Sequence, residues 1–239
     1  MTADLIFQAH LILHVATGMV ALVVAPGAMI TRKGGRWHRC WGKIYFWSMA
    51  AVAGTALVMA MMRSGLFLGL VAVFSFYLAF TGVRALHRKP PDAQATPWDW
   101  GVSLIALLGS GGLILFGGQA ILKAHTTGVV ALVFGGISGG MAGRDLWRFW
   151  RPPDSPRAWF FVHLKRMLAA YIATVSAFSV VNFSFLPPVV RWLWPTVIGT
   201  IGITLWMRYY RQEFAAHSAG QQRIRPIRLT AASIFCPVL

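Results

Sequence analysis

Acidic residues are scarce in this chain, which has six Asp and Glu against 22 Lys and Arg in 239 residues. Charged residues of both signs make up 12% of the sequence, about half of the share that is typical of soluble domains. None of the acids, and no Lys or Arg, lies deep in an apolar run. This argues against an ion-coupled transporter or a proton pump, because such proteins need charges inside the membrane.

Cysteine is also rare, with Cys40 and Cys236 as the two examples. Both fall on the side that we predict to face the cytoplasm, so we expect no structural disulfide. The first residues lack a basic segment and a small-residue cleavage site, and we therefore expect no cleavable signal peptide.

Long apolar runs make up most of the remaining chain. Seven of them approach or exceed the roughly 20 residues that cross a bilayer, and they lie at residues 8–30, 43–62, 66–86, 99–122, 127–146, 161–183 and 189–210. The sequence therefore predicts an all-α fold, an integral membrane bundle of seven transmembrane helices. This domain covers residues 1–211, and a basic cytoplasmic tail covers residues 212–239.

Basic residues concentrate in alternate connections between these runs. The first, third and fifth loops, their flanks and the tail hold 19 of the 22 Lys and Arg. Because basic loops stay in the cytoplasm, we predict that the N-terminus is outside and the C-terminus is cytoplasmic. Topology then explains the net charge of +16, and we expect contacts with the anionic headgroups of the lipid bilayer rather than with nucleic acid.

Two histidines lie in the outer part of the first span. His14 is inside the apolar run, and His10 lies one helical turn before it. A histidine at that depth faces the protein interior or a wet cavity. The spacing places both imidazoles on one helix face and suits a metal ion, whereas a hydrogen bond across helices is the plainer alternative.

A second group gathers at the basic ends of the spans. His38 opens the second span, His163 opens the sixth, and Asp145 closes the fifth. His163 also begins an inward-facing stripe that continues with Met167. Two imidazoles from different helices at one depth suit axial ligation of a haem, whereas three N or O ligands with a water suit catalytic zinc. Ordinary interfacial histidines, with Asp145 paired to a nearby arginine, are the alternative.

Glycine is frequent in the fourth and fifth spans, where it includes Gly136-xxx-Gly140 and Gly139-xxx-Gly143. Small residues four apart let two helix backbones approach closely. Because the loop between these spans is short, we predict an antiparallel helical hairpin packed through glycine. A slot for a flat cofactor is the alternative.

Three local patterns resemble a known group of sequences, and they are His14-xxx-Gly18, His38-Arg39-xx-Gly42-xx-Tyr45, and His163-xx-Arg166-Met167 running on to Ala177-Phe178 and Asn182. Their order and spacing are similar to those of an uncharacterised family of bacterial multi-pass membrane proteins of unknown function. The resemblance implies a location in the bacterial cytoplasmic (inner) membrane and no particular activity. It marks four residues for attention, namely His14, His38, Asp145 and His163.

Histidines on several helices, glycine-rich neighbours and the lack of a charge pathway favour a membrane redox or electron-transfer protein. Its cofactor would be haem b or quinone, with the candidate ligands His14, His38, His163 and Met167. Two alternatives stay open, a non-catalytic accessory subunit that joins other membrane subunits and a zinc-dependent membrane hydrolase. The hydrolase would use the histidines of the basic end together with Asp145. The candidate metal ligands over both groups are His10, His14, His38, Asp145 and His163.

Overall fold

The computed structural model describes residues 2–90, 93–151, 155 and 157–223. This part of the chain is helical and contains no strand, and its long helices are α1 (Thr2–Ile30), α2 (Arg36–Met62), α3 (Leu66–Arg84), α4 (Pro97–Leu122), α5 (Thr127–Trp150), α6 (Ala158–Asn182) and α7 (Pro188–Arg223). A short 3-10 turn, Ala85–Arg88, continues α3. All seven helices are long and apolar enough to cross a membrane. The prediction of an all-α bundle of seven membrane-spanning helices is confirmed.

Several helices extend beyond the predicted spans. The last helix continues to Arg223, so the first twelve residues of the predicted tail are helical. The remainder of that tail, residues 224–239, lies outside the described residues. Which face of the membrane each terminus occupies stays a prediction.

Contacts place the two ends of the described chain at opposite ends of the bundle. Asp4 near the start of α1 pairs with Arg63 just after α2, at 3.3 Å. At the other end, Arg157 just before α6 donates to the carbonyl oxygen of Phe214 in α7, at 3.3 Å. His38 at the start of α2 lies beside α6 at this second end. We call it the basic end, because the predicted basic loops lie there.

The helices differ in how far they enter the protein interior. α3 packs against α2, α4 and α6, and α6 also contacts α1 and α7. In contrast, only 17% of the most apolar window of α1 and 11% of that of α7 are buried. α3 and α6 therefore form the centre of the bundle, and the large exposed side chains of α1 and α7 are suited to contact with lipid.

Glycine sets the distance between α4 and α5, as the predicted hairpin requires. A Cβ atom on Gly128 would lie 2.8 Å from the carbonyl oxygen of Gly117, and one on Gly135 would lie 2.8 Å from Cγ1 of Ile114. Gly136 and Gly140, by contrast, have open space where their side chains would be. One glycine face of α5 thus packs against α4, and the other does not.

Substitutions at a packed glycine and at an unpacked glycine of this hairpin are expected to differ in effect. Gly135→Leu is expected to lower the free energy of unfolding by about 1–3 kcal/mol, because the new side chain overpacks the α4–α5 contact. Gly118→Leu on α4, where a Cβ meets no atom within 4 Å, is expected to change it little. Thermal unfolding of both variants in the same detergent measures the difference. Equal midpoints for the two would contradict glycine-limited packing.

The connection between α3 and α4 is fixed by a buried carboxylate. Asp99 is 2% exposed and accepts hydrogen bonds from Arg84 Nε at 3.0 Å and Nη2 at 2.8 Å. Arg88 Nη1 lies 3.1 Å from the same carboxylate. Thr96 and Asp99 also form a capping box at the start of α4. This ion cluster accounts for two of the basic side chains of the third loop, so they are structural.

Candidate functional site

Two histidines from different helices meet at the basic end. His38 is the third residue of α2 and His163 is the sixth of α6. Their ring centres are 6.3 Å apart, and the ring planes are inclined at 75°. Both side chains are half-buried. We call these two residues the histidine pair. The sequence predicts one depth for both, and the structure brings them together.

Each ring of the histidine pair is held by a backbone carbonyl on another helix. His38 Nδ1 donates to Ala28 O at 2.9 Å, and His163 Nδ1 donates to Gly82 O at 2.8 Å. A carbonyl oxygen can only accept, so Nδ1 carries the proton in both rings. In its neutral form, an imidazole held in this way presents Nε2 with a free lone pair, which is the arrangement found in metal-bound histidines.

The carbonyl oxygens that accept from the histidine pair belong to the ends of two helices. Ala28 lies in the last turn of α1 and Gly82 in the last turn of α3. Carbonyls in the last turn have no partner within their own helix and accept from side chains. A Cβ on Gly82 would lie 2.8 Å from the sulfur of Met167, so glycine is what lets α6 come close enough for His163 to reach the carbonyl. Met167, a predicted ligand, packs at this contact.

Among the described residues, the charged side chains beside the histidine pair are basic. Lys33 and Lys89 both act electrostatically on His163. Lys33 Nζ donates to the carbonyl oxygens of Ala28 and Met29, and burial lowers the pKa of its ammonium group. Lys89 Nζ lies 4.7 Å from the centre of the Trp159 ring. The surroundings therefore favour a ligand that brings negative charge with it.

Asp145, the predicted carboxylate ligand, lies in a separate group with Arg166 and Tyr77, which we call the Asp145 cluster. Its Oδ2 accepts from Arg166 Nη2 and from the Tyr77 hydroxyl, both at 2.6 Å. Arg166 and Asp145 are each 4% exposed, and Tyr77 is 1% exposed. Arg166 lies two turns into α6, near the basic end and not deep in the span, but it is buried there together with Asp145. The alternative of an Asp145–arginine pair is what the structure contains.

The remaining predicted ligands lie apart from the histidine pair. His14 Nδ1 donates to Val52 O at 3.1 Å, with Thr55 Oγ1 at the same distance. His10 Nδ1 donates to Ile6 O at 2.8 Å within its own helix. Over the part of the chain that the structure describes, no three His, Cys, Asp or Glu side chains could hold one metal ion. The geometry thus gives the zinc hypothesis no assembled ligand set.

A large groove is lined by residues of α1, α2, α3, α5, α6 and α7. Its volume is about 1550 Å³, which exceeds the usual range of about 300–1,000 Å³ for small-molecule pockets. Its basic end is lined by Arg144, Asp145, Arg148, Lys165, Arg166 and Arg211. His14, Arg63 and Trp192 line its opposite part, and the histidine pair does not line it.

Two residues of the Asp145 cluster were missed by reasoning from the sequence. Tyr77 lies in an apolar stretch of α3 that gives no sign of a buried hydrogen bond. Arg166 follows Lys165 near the start of a span, where the sequence predicts a charge that belongs to the basic loop. The one available signal was that Asp145 and Arg166 occupy facing ends of consecutive spans.

No protein-family model, curated protein or solved structure matches this chain. Fold and site together define an integral membrane protein of seven helices that holds two imidazoles from different helices side by side. The family resemblance of its histidine motifs stays a prediction, and the functional interpretation depends on the geometry.

Proposed function

We propose that this protein is a membrane redox protein that binds a b-type haem through His38 and His163. The observation that carries the proposal is the separation of 6.3 Å between the two ring centres. His38 and His163 would each hold the iron through one ring nitrogen at about 2.0 Å, and ring centres about 6 Å apart leave room for an iron between them.

The protonation of the rings supports the same interpretation. An axial ligand must offer a nitrogen lone pair, and both rings offer Nε2 because Nδ1 is engaged by a carbonyl. Lys33 and Lys89, the basic neighbours of His163, are suited to the two propionate carboxylates that a haem carries. A bare metal cation would gain nothing from them. The haem itself supplies four nitrogens, so two histidine ligands would leave the iron no open coordination position. This favours electron transfer over oxygen chemistry.

The haem content of the purified wild-type protein tests the proposal. Protein produced in cells supplied with a haem precursor is expected to hold about one haem per chain, because two axial histidines saturate one iron. The pyridine haemochrome assay measures the haem, and metal analysis and quinone extraction are performed on the same sample. A folded protein without a Soret band would contradict the proposal. Stoichiometric zinc or extracted quinone in its place would favour the hydrolase or the quinone alternative.

A further inference from the structure

We propose that the groove binds one anionic phospholipid, with the phosphate at its basic end and an acyl chain along its apolar walls. Five basic residues line that end, and Asp145 is the one acid among the residues that line the groove. Asp145 is already neutralised by Arg166 at 2.6 Å. Among the described residues that line the groove, no second carboxylate balances the remaining positive charge. Basic pockets between transmembrane helices are typical sites for phosphate headgroups.

The strongest observation is an arginine nitrogen that lacks an acceptor. Arg166 lines the groove and is 4% exposed. Its Nη2 donates to Asp145 and, at 3.1 Å, to Met141 O. Its Nη1 is buried and has no acceptor among the described residues. A buried guanidinium with an unmet donor is costly, and a phosphate oxygen is the acceptor that arginine binds best.

Between its basic end and its opposite part, the groove has apolar walls that fit an acyl chain. Ile137, Ala169 and Ala173 line this part of the groove. Gly136 and Gly140 of α5 line it as well, and a Cβ on either would meet no atom within 4 Å. Their missing side chains leave room on the face of α5 that does not pack against α4. Within the bilayer such an apolar space is filled by lipid rather than by water.

Native mass spectrometry tests the headgroup preference. The full chain in a mild detergent is incubated with an equimolar mixture of phosphatidylglycerol and phosphatidylcholine that carry the same acyl chains. We expect the protein to retain phosphatidylglycerol at least about ten-fold better, because several basic groups act on one headgroup. Glycerol phosphate, which has the phosphate without acyl chains, is expected not to displace it. Equal retention of the two lipids would overturn the proposal, as would displacement by glycerol phosphate, which would mark a site for free phosphate.

Two variants locate the lipid. Gly140→Leu fills the groove and is expected to lower phosphatidylglycerol retention at least about ten-fold, whereas its matched control Gly118→Leu, outside the groove, retains the lipid like wild type. Lys165→Gln keeps the Asp145–Arg166 pair and is expected to reduce the preference for phosphatidylglycerol over phosphatidylcholine. It serves as the test if Gly140→Leu does not fold. Wild-type retention in a folded Gly140→Leu protein, or an unchanged preference in Lys165→Gln, would overturn the assignment.

Discussion

Asp145→Ala is expected to lower the free energy of unfolding by about 3–5 kcal/mol, the usual cost of removing one partner of a buried ion pair. The substitution leaves the guanidinium of Arg166 buried with its charge unpaired, and it also removes the acceptor of the Tyr77 hydroxyl. Neither group can easily reach water, since both residues are at least 96% buried. Equilibrium unfolding in mixed micelles measures the loss.

Two controls separate this effect from a general loss of charge. Asp4→Ala breaks the ion pair with Arg63, in which both side chains are more than 60% exposed, and is expected to cost at most about 1 kcal/mol. Combining Asp145→Ala with Arg166→Met removes both charges and is expected to recover most of the lost stability. If Asp145→Ala costs no more than Asp4→Ala, the buried pair is not what the structure indicates.

The second large effect concerns the histidine pair. His163→Gly is expected to weaken haem binding by more than about 100-fold, because losing even a group that orients a ligand costs 10–100-fold. The variant removes one of the two proposed ligand nitrogens and leaves a space of imidazole size beside Gly82. Free imidazole added to the medium is therefore expected to restore binding and the six-coordinate optical spectrum. Haem titration with and without imidazole measures both changes.

The matched controls are histidines that the structure leaves exposed. His87 lies near the same end of the bundle, and His125 lies in the loop between α4 and α5; both are exposed. His87→Gly and His125→Gly are expected to bind haem like the wild type. A wild-type spectrum in His163→Gly, or an equal loss in the controls, would contradict ligation by the histidine pair.

The number and order of helices could be predicted because each apolar run is long and each connection is short. Which face of a helix points inward could not be predicted in the same way. In lipid, both the core and the surface of the bundle are apolar, so the periodicity that marks a buried face in soluble proteins is weak. The predicted glycine motifs illustrate this. The helix contact uses Gly128, Gly135 and, of the predicted motif residues, Gly139, whereas Gly136 and Gly140 face the groove.

For the candidate site, the sequence predicts the depth of the residues but not all of their neighbours. Alternating topology places His38 and His163 at one depth, and the structure has their rings side by side. Asp145 lies at that depth as well, but its partners come from α3 and α6 and could not be identified without knowing the order of helices around the bundle. The sequence predicts how deep a residue lies in the membrane, whereas the residues beside it at that depth depend on how the helices pack.

The central claim, that the histidine pair ligates one haem, is tested most directly by electron paramagnetic resonance of the oxidised wild-type protein. Two neutral imidazoles with ring planes inclined at 75° predict a strongly anisotropic low-spin ferric signal. A high-spin signal from a five-coordinate iron would contradict the account, and so would a folded, haem-supplied protein with no ferric signal at all.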